Sequence, residues 1–108
     1  MNFLGHCLYS DPTPTALAGS LWPDFAPRPK TELSTEFIVH FDRHQRIDKI
    51  TDTSPTLEPL RVTLRPLFRK TTLVVVDMLL DHHLARNWSQ YHHQPLTEFS
   101  QQTYRQLS

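Results

Sequence analysis

The sequence predicts an all-α fold, a bundle of about four to five helices forming a single domain over residues 1–108. Three observations predict it. Gly5 and Gly19 are the only glycines. No alternating Val/Ile/Thr run marks a strand. Phe37, Phe41, His44 and Asp48 recur at intervals of four, three and four, which is one face of a helix.

The elements follow in order. "TPTALAGSLWPDF", residues 13–25, reads as a short helix or turn stopped near Trp22 by Pro23. "APRPK", residues 26–30, is a proline-bracketed loop. A helix is expected from about Leu33 to Thr51, ending at "DTSP". The next helix places Pro55 or Pro59 in its first turn, where no intrahelical N–H is lost. Pro66 should bend or break it. A further helix runs from about Thr71 to Tyr91. "HHQP" interrupts the chain, and residues 96–107 form a last helix with Leu96, Phe99, Tyr104 and Leu107 as its apolar contacts.

Composition narrows the function classes. Eleven basic and eleven acidic residues give zero formal charge, so nucleic-acid binding through bulk electrostatics is not expected. The single Cys7 excludes an internal disulfide and a multi-cysteine zinc site, and it suits a reducing cytoplasm. "MNFLGHCLYS" lacks the basic and long apolar regions of a signal peptide, and no apolar run has the length of a membrane span.

Helix 71–91 carries an anomaly. On a 100° wheel Leu73, Asp77, Asp81, Leu84 and Trp88 share a narrow sector, which puts two carboxylates on the apolar stripe. An unpaired buried carboxylate is costly and must be paired, protonated or bound to a cation. The helix of residues 33–51 has the same oddity in His44 and Asp48. Inward carboxylates and imidazoles on facing helices are how bundle cores build metal sites, and an oxygen-rich set with one or two histidines suits Mn, Mg or Fe. The plainer alternative is ion pairing of each aspartate with Arg46, Arg61 or Arg65. His40, His83, His92 and His93 read as surface or half-buried side chains. HExxH, Walker A, GxSxG and EF-hand motifs are absent.

Four blocks, "MNFLGH", "GSLWPDF", "HQRIDKITD" and "DMLLDHHLARNW", resemble in order and spacing the acyl carrier protein phosphodiesterase (holo-ACP hydrolase) family. They span residues 1–88. Gln45 replaces the usual arginine and His83 the usual aromatic residue. The family's chains continue beyond the point where this one stops. The resemblance implies an HD-domain-like helical fold and a divalent-metal hydrolase, typically using manganese. It implies cleavage of the phosphodiester between 4′-phosphopantetheine and a serine of holo-acyl carrier protein.

Carried onto this sequence, the resemblance implies metal ligands among His6, Asp24, His44, Asp48, Asp77 and Asp81, and catalytic roles for Asp24, His82 and Arg46. Asp24 follows Pro23 in a bend from which a side chain can reach a cleft, though a turn or capping role fits it equally. His82 lies more than a quarter-turn from Asp77, which suits a supporting group or general acid rather than a ligand. Arg46 suits a phosphate clamp or an ion pair.

Seven of the eleven basic residues lie between Arg43 and Lys70. Arg61, Arg65 and Arg69 recur every four residues and are expected to form a docking face for an acidic carrier protein, or simply a solvated basic face. Exposed apolar faces predict a homodimer. Two other readings stay open: a metal-dependent phosphohydrolase on another substrate, and a non-catalytic helical module that binds carrier protein or itself.

Overall fold

A computed structural model describes all residues 1–108. The fold is all-α, with α1 Phe3–Leu8, α2 Pro14–Leu21, α3 Thr35–Thr53, α4 Glu58–Phe68, α5 Thr72–Arg86 and α6 Leu96–Leu107. Five of these have eight residues or more; α1 has six. Local chemistry explains most boundaries. Thr13 and Ser34 cap α2 and α3 by accepting from the amides of Ala16 and Phe37, each at 3.2 Å. Pro14 occupies the first turn of α2, where its missing N–H costs nothing.

Three elements differ from expectation. α1 was not expected. It is too short to hold itself and depends on a carboxylate from α5, described below. α4 runs two residues past Pro66 before ending at Phe68, so the proline weakens the last turn without starting the break. α5 stops at Arg86 rather than near Tyr91. The Asn87 side-chain amide donates to the His83 carbonyl at 2.9 Å, closing the helix, and Trp88–Gln90 continues as a 3₁₀ turn.

α2 and α3 pack most closely. A Cβ on Gly19 would lie 2.5 Å from the Phe37 carbonyl oxygen, so only glycine permits this approach. α1 and α4 flank α5, and α6 lies against α2. Phe99 anchors α6 on Trp88 and His92, with ring centroids 4.8 and 5.1 Å apart. Tyr104 and Leu107 remain exposed, contrary to the expected contacts of that helix.

The buried apolar set is small: Cys7, Ala16, Leu17, Phe37, Phe41, Val76, Leu84 and Trp88. Val76 takes the inward position that the wheel assigns to Leu73, which is 39% exposed. His6, Ser20, His40, His44, Arg61 and Thr72 are buried among them. The molecule is a slab of 41 × 36 × 20 Å. Its accessible surface of 7410 Å² exceeds the roughly 6,200 Å² typical of a monomer of this mass. No helix is long and apolar enough to cross a membrane.

Candidate metal centre

α1, α3 and α5 converge on one polar cluster. His6 comes from α1, His44 and Asp48 from α3, Asp77 from α5, and Asp24 from the 3₁₀ turn Trp22–Asp24 after α2. The two imidazoles are buried and stacked, with centroids 3.5 Å apart and planes inclined by 6°. Asp48 lies between several partners. Its Oδ1 accepts from His6 Nε2 at 3.0 Å, and its Oδ2 is 3.1 Å from His44 Nε2. Asp24 Oδ1 is 3.3 Å from the same His44 nitrogen.

His44 carries the strongest chemical signal. Its Nδ1 pairs with the Ser20 backbone carbonyl, an acceptor, so Nδ1 carries the proton. Nε2 then faces two carboxylates, neither aligned with it for a hydrogen bond. A neutral ring would aim a lone pair at negative charge. The site therefore calls for a second proton on the ring or a cation beside it. Burial opposes the imidazolium, but Asp48, the Ser20 carbonyl and Asp24 outweigh it and raise the His44 pKa. Burial likewise opposes the Asp48 carboxylate, yet His44, His6 and the amino terminus hold its pKa far below the ordinary carboxylate range.

The Met1 ammonium is the third cationic group. It donates to Asp48 Oδ1 and Asp77 Oδ1, each at 3.0 Å, and lies 3.4 Å from Thr51 Oγ1. Burial works against this ammonium, but the two carboxylates raise its pKa above the usual value. Burial and the Asp48 charge raise the Asp77 pKa despite the ammonium. Burial, with Asp77 and Asp48, raises that of Asp52.

Asp81 sits elsewhere. Its carboxylate accepts from the amides of Asn2, Leu4 and Gly5 at 3.3, 2.8 and 3.0 Å, capping α1 from 76 or more residues away. His82 and Arg46 are exposed, and neither side chain makes a hydrogen bond or ion pair within the chain. Arg61 requires a correction. It is buried, not part of an outer face, because its guanidinium reaches the Thr51 and Ser54 carbonyls at 3.1 and 2.6 Å and pairs with Glu58 at 2.8 Å. Arg65 and Arg69 are exposed. His40 is also buried rather than superficial; its Nδ1 donates to the Glu36 carbonyl at 2.8 Å, and its Nε2 accepts from the Asp11 amide at 3.2 Å.

Part of the cluster has the ligand geometry of a metal site. Ligand atoms of His6, Asp24 and His44 all lie within 4.8 Å of one another. His6 Nδ1 and His44 Nε2 are buried without a hydrogen-bond partner. An imidazole that gives its other N–H to a carbonyl or carboxylate is the usual arrangement of a metal-ligating histidine. An open cleft of about 480 Å³, lined by Asp24, His44, Gln45, Asp48, Lys49 and Asp52 among others, gives access from solvent. Sequence reasoning missed the Met1 ammonium and the Ser20 carbonyl. Backbone and terminal groups leave no mark in a residue pattern.

Fold and site together define a helical bundle that carries an inward histidine–carboxylate cluster open to a polar cleft. The family described as acyl carrier protein phosphodiesterase matches residues 1–108. The chain belongs to the acyl carrier protein phosphodiesterase family. It is 33% identical over 91 residues to the acyl carrier protein phosphodiesterase of Pectobacterium atrosepticum, covering 83% of this chain and 47% of that protein. It is 31% identical over 110 residues to the protein of the same name from Enterobacter sp. (strain 638), covering 100% of this chain and 57% of the relative. The chain thus spans about half the length of the curated relatives it matches. No solved structure matches it.

Proposed function

We propose that the chain is a metal-dependent phosphodiesterase that converts holo-acyl carrier protein to the apo form and 4′-phosphopantetheine. His44 carries the reading: its buried Nε2 faces the Asp24 and Asp48 carboxylates while its other nitrogen is committed to Ser20. The names of the relatives supply the substrate class.

In this proposal His6, Asp24 and His44 hold the cation, with Asp48 orienting both rings and Asp77 facing it across the Met1 ammonium. Manganese is the candidate ion. When bound, a divalent ion neutralises phosphoryl oxygens and lowers the pKa of water. The chain's own groups position the phosphodiester in the open cleft. A water oxygen bonds to phosphorus and gives up a proton, the bond from phosphorus to the serine oxygen breaks, and the serine oxygen takes a proton. Asp24, exposed at the cleft edge, is the group placed to move a proton there, and Arg46 is free to meet the phosphate. His82 has no contact with the cluster and is left out of the proposed chemistry; Asp81 acts on it only by holding α1. The HD-domain-like reading of the bundle and a cytoplasmic location belong to the same proposal.

A second reading has a specific observation behind it: the Met1 ammonium already pairs with Asp48 and Asp77, so the cluster has a cationic partner without a metal, and the chain would serve as a non-catalytic module that binds carrier protein. Incubating the purified chain with holo-carrier protein and Mn²⁺, and following carrier mass, separates the two. Conversion to the apo form that disappears in His44→Ala supports the hydrolase. Stoichiometric metal without conversion sinks it and leaves the binding module.

A further inference from the structure

α4 and α5 form a hairpin joined by the 3₁₀ turn Arg69–Thr71. From Pro59 to Val76 there is no acidic residue, but there are Arg61, Arg65, Arg69 and Lys70. With Arg61 buried, the other three are exposed and none makes an ion pair or a side-chain hydrogen bond within the chain. Leu67 and Phe68 lie among them in the chain and Val74 and Met78 follow on α5; the four are 75, 41, 59 and 56% exposed. These four side chains present on the order of 400 Å² of apolar surface, within the range that marks an interaction site.

The turn adds an independent observation. Arg69 has φ 48° and ψ −113°, a conformation that favours glycine. An arginine held there at a cost suggests that its side chain has a use at that point. Val74 precedes Asp77 by three residues, about 5 Å along the helix axis. Whatever docks on the hairpin end lies next to the histidine–carboxylate cluster.

We infer that the end of the α4–α5 hairpin docks an acidic amphipathic protein helix, whose apolar stripe covers Leu67, Phe68, Val74 and Met78 while its acidic flank meets Arg65, Arg69 and Lys70. This rests on the hydrolase reading above in one respect: the carrier protein is then the partner. Charge complementarity selects this occupant. A second copy of the chain would bring two sets of three unpaired cations together across a two-fold axis, which is repulsive.

Binding of holo-carrier protein, measured by fluorescence anisotropy and stopped flow, tests the inference. Arg65→Glu with Lys70→Glu should weaken binding at least tenfold at low salt, mainly through the on-rate, and flatten the salt dependence. Phe68→Ser should weaken it at every salt concentration. Arg69→Gly separates docking from folding: relief of backbone strain should raise Tm while affinity falls. A raised Tm with unchanged affinity would mean that Arg69 only shapes the turn, and would overturn the inference for that residue. Unchanged affinity in the charge-reversed chain overturns the docking surface as a whole. So do failure of the wild-type chain to bind the carrier, a dimer by light scattering that Phe68→Glu dissociates, and binding to anionic vesicles in place of the carrier. Charge-sensitive carrier binding without conversion to the apo form upholds the surface and sinks the hydrolase reading instead.

Discussion

His6 and His44 stack face to face at 3.5 Å, and Asp48 reaches both, one through each carboxylate oxygen. Each neutral imidazole keeps one bare nitrogen, and that of His44 faces two carboxylates. In the proposed metal site a divalent cation would satisfy the lone pairs that protons would otherwise have to cover. Mn²⁺ should therefore raise the melting temperature of the chelator-treated protein, by an amount equivalent to about 2.7 kcal/mol at one hundred times Kd. His44→Ala and His6→Ala should abolish the shift. An equal Mn²⁺ shift in both variants would place the ion elsewhere.

Two pH profiles follow for the metal-free protein. The His44 pKa is raised on folding, so its stabilisation is fully present below the unfolded value of about 6.5 and is lost as pH rises through the folded value. The Tm advantage of wild type over His44→Gln should close on going alkaline. Asp48 is lowered, so its contribution is present above about pH 3.9 and disappears as pH falls. Its advantage over Asp48→Asn should close on acidification. Differences that stay flat with pH would refute the assigned partners.

Gly19→Ala should be costly despite the small change. The added Cβ meets the Phe37 carbonyl at 2.5 Å and His40 Cβ at 3.2 Å, so α2 must move off α3. A loss of about 2 kcal/mol, or roughly 10 °C in Tm, is expected. A neutral effect in thermal melts would show that the two helices are not in this contact.

Arg61 ties the last turn of α3 to the start of α4. Arg61→Ala removes its bonds to the Thr51 and Ser54 carbonyls, of which the second also accepts from the Leu57 amide, and the pair with Glu58, with an expected cost of about 2 kcal/mol. Arg61→Lys should recover less than half, because an ammonium cannot span Ser54 and Glu58 as the planar fork does. Full recovery in urea melts would reduce the role of Arg61 to its charge.

Cys7 is buried, and burial together with the Asp81 charge raises its pKa to about 11. Ellman's reagent at pH 8 should react with it slowly in the folded protein and rapidly in denaturant. Fast labelling of the native chain would contradict the packing of α1 against its neighbours.

Much of the architecture is legible along the chain, because helical periodicity and capping are local. Phe37, Phe41, His44 and Asp48 share a face of α3 through spacing alone, and the wheel brings Asp77 towards the same interior. Ser34 and Thr13 announce the helix starts. What remained out of reach depends on partners distant in sequence. α1 forms because Asp81, on α5, satisfies amides that six residues cannot satisfy for themselves. His40 reads as a surface or half-buried side chain and Arg61 as a docking or aspartate-pairing one; the remote Asp11 amide and the carbonyls at the end of α3 give them their buried partners. Asp77 and Asp81, equivalent on the wheel, separate in function because one meets the cluster and the other meets a helix end. The sequence by itself determined which residues share a helical face. Tertiary structure decided what each face meets, because a backbone carbonyl or a remote amide has no residue identity to read until the chain has closed on it.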